Sequence, residues 1–93
     1  MNETARKIPP WAPQKSQLLI LEEPEYRYGV GRLRLAVDRL FDVSSIDGQD
    51  WIRVSGYEVR SDGEQTMSLR TVLVSRAAIE AQPQRQARGN APS

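Results

Sequence analysis

Two Asp-Gly pairs, Asp47-Gly48 and Asp62-Gly63, stand on either side of a stretch rich in β-branched and aromatic residues. Asp-Gly between alternating hydrophobic runs is the strongest short-range hairpin signal, because tight hairpin turns need the positive φ angles that these residues tolerate. Two such turns commit the middle of the chain to antiparallel sheet. Between them, in Trp51-Ile52-Arg53-Val54-Ser55-Gly56-Tyr57-Glu58-Val59-Arg60, Ile52 and Val54 share one face while Tyr57 and Val59 share the other. The phase therefore switches at Gly56, where a bulge or bend lets a strand keep feeding a core as it curves.

The neighbouring segments fit the same picture. After the second turn, Met67, Leu69, Thr71 and Leu73 alternate with Ser68, Arg70 and Val72, a strand with both faces apolar near its end. Leu18-Leu19-Ile20-Leu21, between Pro13 and Pro24, reads as a short buried strand. Residues 32–43 fit two periods. Leu33, Leu35, Val37, Phe41 and Val43 alternate with Arg39 as the misfit, and Leu33, Ala36, Val37, Leu40 and Phe41 also share a helical face. The Asp-Gly turn downstream asks for a strand here; a helix would instead make an α+β subunit of a larger complex. Ser75 is placed to cap a helical turn through Arg76-Ala77-Ala78-Ile79-Glu80, which stops before Pro83.

These elements predict a mainly β fold: a small SH3-like barrel of four to five antiparallel strands, a short C-terminal helical turn and flexible tails. The chain has 93 residues, room for one domain. Residues 1–16, with Ile8-Pro9-Pro10-Trp11-Ala12-Pro13, read as an extended or polyproline II tail. Residues 82–93 read as a polar tail, which leaves 17–81 as the folded unit. So small a body is near the lower end for independent folding, and dimerisation would relieve that shortage. At Trp51-x-x-Val54-x-Gly56-Tyr57-Glu58-Val59, with Asp62-Gly63 and Arg70-Thr71-Val72-Leu73-Val74, the chain resembles short uncharacterised proteins of high-GC actinobacteria over roughly residues 32–79. The resemblance implies no activity and no functional residues. The usage of 11 Arg to 2 Lys accords with a high-GC genome.

Composition narrows the chemistry. The chain has no cysteine and no histidine, so disulfides, Cys/His zinc sites, thiol nucleophiles and His-based triads are excluded within it. No apolar run approaches the roughly 18–20 residues of a membrane helix, and the N-terminus lacks a secretory h-region; a cytoplasmic protein is expected. The paired carboxylates Glu22, Glu23 and Glu25, and Asp38 with Asp42, are read as solvated or arginine-paired rather than as acid–base or cation sites. Gly29-Val30-Gly31 is a turn and not a phosphate cradle. No enzyme activity, cofactor, metal or small-molecule substrate is expected.

Binding residues remain. Tyr26, Tyr28, Trp51 and Tyr57 are the aromatics able to line a groove for proline-rich peptides or bases, or else to cover the core. Tyr26-Arg27-Tyr28-Gly29, in a connection after Pro24, is the preferred exposed pair. Arg32, Arg34, Arg53, Arg60 and Arg70 fall on strands, where they form either a basic stripe or, with Asp38, Asp42, Asp50, Glu58 and Glu64, a mixed-charge surface. Net positive charge sits on the tails, through Arg6, Lys7 and Lys15 at one end and Arg85 and Arg88 at the other. Lys7-x-x-Pro10-x-x-Pro13 has the form of an SH3 ligand, whereas Trp11 can fold back on the barrel. The expected function is a non-enzymatic interaction module for a protein or peptide partner, or for a second copy of itself. The alternative is a nucleic-acid-binding barrel that uses the strand arginines and exposed aromatics.

Overall fold

A computed structural model of the chain describes residues 8–85. Strand β1 is Leu18–Leu21, β2 is Tyr26–Arg27, β3 is Leu33–Ile46, β4 is Gln49–Val59 and β5 is Gln65–Ser75; helix α1 is Arg76–Glu80, followed by helical residues 82–85. All neighbouring strands are antiparallel, in the order β1-β3-β4-β5-β2, and the sheet curls into a small, nearly closed barrel. Residues 33–43 are thus strand, not helix, while Arg32 and Arg60, expected on strands, lie just outside the ends of β3 and β4.

Both Asp-Gly pairs make the expected hairpins, by different routes. Asp47 and Gly48 have φ of 53° and 79° between the paired residues Ile46 and Gln49, a two-residue turn with both central residues left-handed. At the second turn the Gly63 N–H donates to the Arg60 carbonyl at 2.8 Å, and only Gly63, with φ 91°, is left-handed. Asp62 contributes its carboxylate instead, accepting the Glu64 N–H at 3.0 Å.

Buried side chains from every strand fill the barrel, among them Leu19, Leu35, Tyr26, Ile52, Val54 and Val74, and α1 adds Ala78 and Ile79. The Arg39 misfit has a local cause. The β3–β4 register shifts between Val37 and Arg39, so one extra residue turns Arg39 outward and lets Leu40 pack on the core. A second shift between Leu40 and Val43 follows, and Phe41 and Val43, inward by simple alternation, are exposed. On β5 the core face is carried by Val72 and Val74, whereas Met67 is 92% exposed.

Gly56 does sit at the bend, but through crowding rather than unusual dihedrals. A Cβ there would fall on the Ala36 carbonyl oxygen and lie 2.9 Å from Leu35 Cγ. The register irregularities lie around it, in β3 after Val37 and between β4 and β5 after Tyr57.

Packing continues past residues 17 and 81. The Ala12 N–H donates to the Pro9 carbonyl at 3.0 Å, so this stretch turns instead of running as polyproline II. Pro13 is buried, Trp11 and Ala12 pack against the core, and the Arg76 guanidinium carbon lies 5.3 Å from the Trp11 ring centroid. The peptide-ligand reading does not fit this arrangement: Pro10 is exposed but Pro13 faces inward, and Lys7 lies outside the described residues. At the other end Gln82 is only 1% exposed. Its amide accepts from the Ile20 N–H and donates to the Ile20 carbonyl, at 2.9 and 3.0 Å, and so occupies the edge groups of β1. Arg85 adds a bidentate pair to Glu25 at 2.7 and 2.6 Å.

Candidate functional site

Strand β2 pairs with β5 only at Val74 and Leu73. The chain then leaves the sheet at Tyr28, while β5 continues to Gln65 with no further strand on that side among the described residues. The far part of this edge is not straight. The Thr66 hydroxyl donates to the Glu58 carbonyl and accepts the Ser68 N–H, both at 3.0 Å, where the β4–β5 register is broken. A regular open edge remains over residues 69–72.

Beside it lies a groove of about 300 Å³ lined by Arg27, Tyr28, Arg53, Arg70, Thr71, Val72 and Leu73. Cross-strand register assembles it. Arg27 pairs with Leu73, and Leu73 with Arg53, so three strands place these side chains in one row on the outer face. Trp51, two residues from Arg53 along β4, is 4% exposed, and the Arg27 guanidinium carbon stands 5.0 Å from its ring centroid. The buried Trp51 Nε1 has no hydrogen-bond partner among the described residues.

Tyr28 is 84% exposed and Tyr26 is 2% exposed. This corrects the pairing of the two as exposed aromatics: Tyr26↔Val74 turns the Tyr26 ring into the core. Its hydroxyl still shapes the site. Its single proton is shared between the Val30 and Gly31 carbonyls at 3.0 Å and its oxygen accepts the Val30 N–H at 3.1 Å, tying down the loop just after Tyr28. Gly29 is held equally closely, since a Cβ there would meet the Glu23 carbonyl.

The arginines of the groove are not bare. Arg53 Nε donates to Asp42 Oδ1 at 3.0 Å and Arg70 Nη1 to Glu58 Oε2 at 2.8 Å. The Arg53 hydrogen bond holds the Asp42 carboxyl below its ordinary pKa. Arg32 is paired with Glu22 at 3.0 Å, and Arg60 reaches Asp62 at 4.0 Å. The mixed-charge surface therefore describes these strands better than a free basic stripe. The acidic run after β1 is likewise engaged, with Glu22 on Arg32, Glu23 accepting the Gly31 N–H at 3.0 Å, and Glu25 on Arg85.

Of the residues singled out from sequence, Tyr28, Arg53 and Arg70 meet in this groove, and Trp51 supports it from beneath Arg27. Tyr57 does not join them; it is half-buried beside a separate hollow of about 130 Å³ with Lys15 and Gln65. Trp11 and Pro13 belong to the N-terminal packing, and Pro10 is exposed beside them. Thr71 and Leu73 were not among the expected site residues, and their place follows from the register of β5 against β2. No helix among the described residues is long and apolar enough to cross a membrane. Compared with family models, curated proteins and solved structures, the chain matches none.

Proposed function

We propose that this chain is a non-enzymatic, cytoplasmic interaction module of SH3-like shape that captures an extended segment of a partner protein by adding it as a strand to the edge of β5. The observation that carries this reading is the mismatch between β2 and β5: two residues cover an eleven-residue strand, and the uncovered edge runs directly beside a groove. Strand addition takes affinity from main-chain hydrogen bonds and selectivity from pockets for alternate side chains. Here Leu73 offers an apolar contact, Tyr28 a ring with little burial to lose, and Arg27 a guanidinium without a carboxylate partner among the described residues. An acidic segment suits them. The pairs Arg53–Asp42 and Arg70–Glu58 are exposed enough that exchanging one carboxylate for another costs little.

Titration of labelled protein with an extended acidic peptide, followed by amide NMR, tests the reading. Shifts are expected at Arg27, Tyr28 and residues 69–73, and they should survive moderate salt in part. Saturable binding of mixed oligonucleotides at the same residues, collapsing steeply with salt, would replace the peptide reading with the nucleic-acid one. Shifts confined to the ends of the chain would support neither.

A further inference from the structure

A second hollow among the described residues, of about 650 Å³, shares no residue with that groove. It lies between the outer face of β1 and β3 and the C-terminal helical residues, and its walls include Ile20, Ala81, Arg32, Arg34 and Arg85. The pairing Ile20↔Arg34 sets these two side by side, opposite the core residues Leu19 and Leu35. Two of the three guanidinium groups have partners, Arg32 on Glu22 at 3.0 Å and Arg85 bidentate on Glu25. The Arg34 side chain, half-buried, has no carboxylate or hydrogen-bond partner among the described residues. The Arg34 donors are open to solvent and not engaged by the protein, so they are available to an acceptor, and the planar fork matches a two-oxygen anion. Three guanidiniums against two carboxylates leave a single positive charge, which suits a monoanion. The Arg85 hydrogen bond keeps the Glu25 carboxyl below its ordinary pKa, so this balance holds at neutral pH.

We propose that this hollow binds a small carboxylate with an apolar body, its two oxygens on the fork of Arg34 and its body against Ile20 and Ala81. The site is independent of the β5 groove, and the two succeed or fail separately.

Sodium benzoate, sodium acetate and inorganic phosphate are the probes, titrated into labelled full-length protein while backbone amides and arginine Nε–H signals are followed. Benzoate is expected to give saturable shifts at Ile20, Arg34 and Ala81, with acetate weaker for want of an apolar body. Arg34→Gln, an outer-face change, should weaken benzoate about tenfold, the size of one lost charge-assisted contact. Arg34→Lys keeps the charge without the fork and should recover only part of that loss. Peptide shifts at residues 69–73 should be unchanged in both variants. Absence of saturation with benzoate, equal binding of acetate, preference for phosphate, or unaltered benzoate affinity in Arg34→Gln would each overturn the assignment.

Discussion

Gly48 and Gly56 are needed for opposite reasons, and substitution separates them. Gly48 faces open space, so a methyl group there meets nothing and the whole cost comes from its φ of 79°. Gly48→Ala should lower stability by about 1 kcal/mol, the penalty for an L-residue in the left-handed region. Gly56→Ala instead drives a Cβ into the Ala36 carbonyl and the Leu35 side chain, where the sheet cannot easily yield. About 2–3 kcal/mol is expected, as for overpacking of a tight interior. Urea unfolding of both variants, compared at constant m-value, measures the difference. Tyr26 gives a further residue-level test. Tyr26→Phe keeps the ring in the core but releases the hydroxyl from Val30 and Gly31. A loss of about 1–2 kcal/mol is expected, together with faster amide exchange at Tyr28, because the loop loses its tie. An unchanged exchange rate at Tyr28 would mean that Gly29 and Glu23 alone fix the loop.

The seam of the sheet is managed by elements rather than by single residues. Strand β1 would present an open edge, but Gln82 satisfies both main-chain groups of Ile20 and Arg85 bridges from the C-terminal helical residues to Glu25. Edge strands covered in this way are poor templates for unwanted pairing. Among the described residues the edge of β5 is interrupted only by the irregularity at residues 66–68, which is why β5 rather than β1 is assigned the docking role. The clasp also has a pH signature. Because the Glu25 pKa is lowered in the folded state by the Arg85 hydrogen bond, its stabilisation is complete above the unfolded-state pKa and is lost as pH falls through the folded one. Stability of the wild-type chain should therefore decline on acidification below the ordinary glutamate range. In Glu25→Gln that decline should be shallower, with Asp42, whose pKa is lowered in the same direction, still contributing. Equal slopes for the two proteins would show that the clasp does not couple to folding.

At the level of the whole molecule, what could be read from sequence and what could not divide along local and non-local lines. The hairpins were legible because Asp-Gly turns act within a few residues, whereas over 32–43 alternation and a helical face both fit and only the downstream turn favoured the strand that forms at Leu33–Ile46. The glycine bend was legible too, although its cause, the approach of the Ala36 carbonyl, belongs to a different strand. Burial of Tyr26 against exposure of Tyr28 was not legible: two tyrosines separated by Arg27 in one connection are told apart only by the pairing of Tyr26 with Val74, nearly fifty residues away in sequence. The role of Gln82 was hidden for the same reason, since its partner Ile20 lies 62 residues upstream. With Trp11, Pro13 and Gln82 drawn in, the packed body exceeds the 17–81 span, and part of the shortage of core in so short a chain is met from its ends.

The central claim is that the β5 edge accepts a strand, and hydrogen–deuterium exchange resolved at single amides tests it most directly. In the free protein the edge amides among residues 69–72 should exchange quickly while the amides facing β4 are protected. Saturation with an extended acidic peptide should slow those edge amides by a factor of ten or more while leaving the edge of β1 unchanged, as expected when exposed donors gain main-chain partners. A bound peptide that leaves exchange across 69–72 unaltered would contradict strand addition.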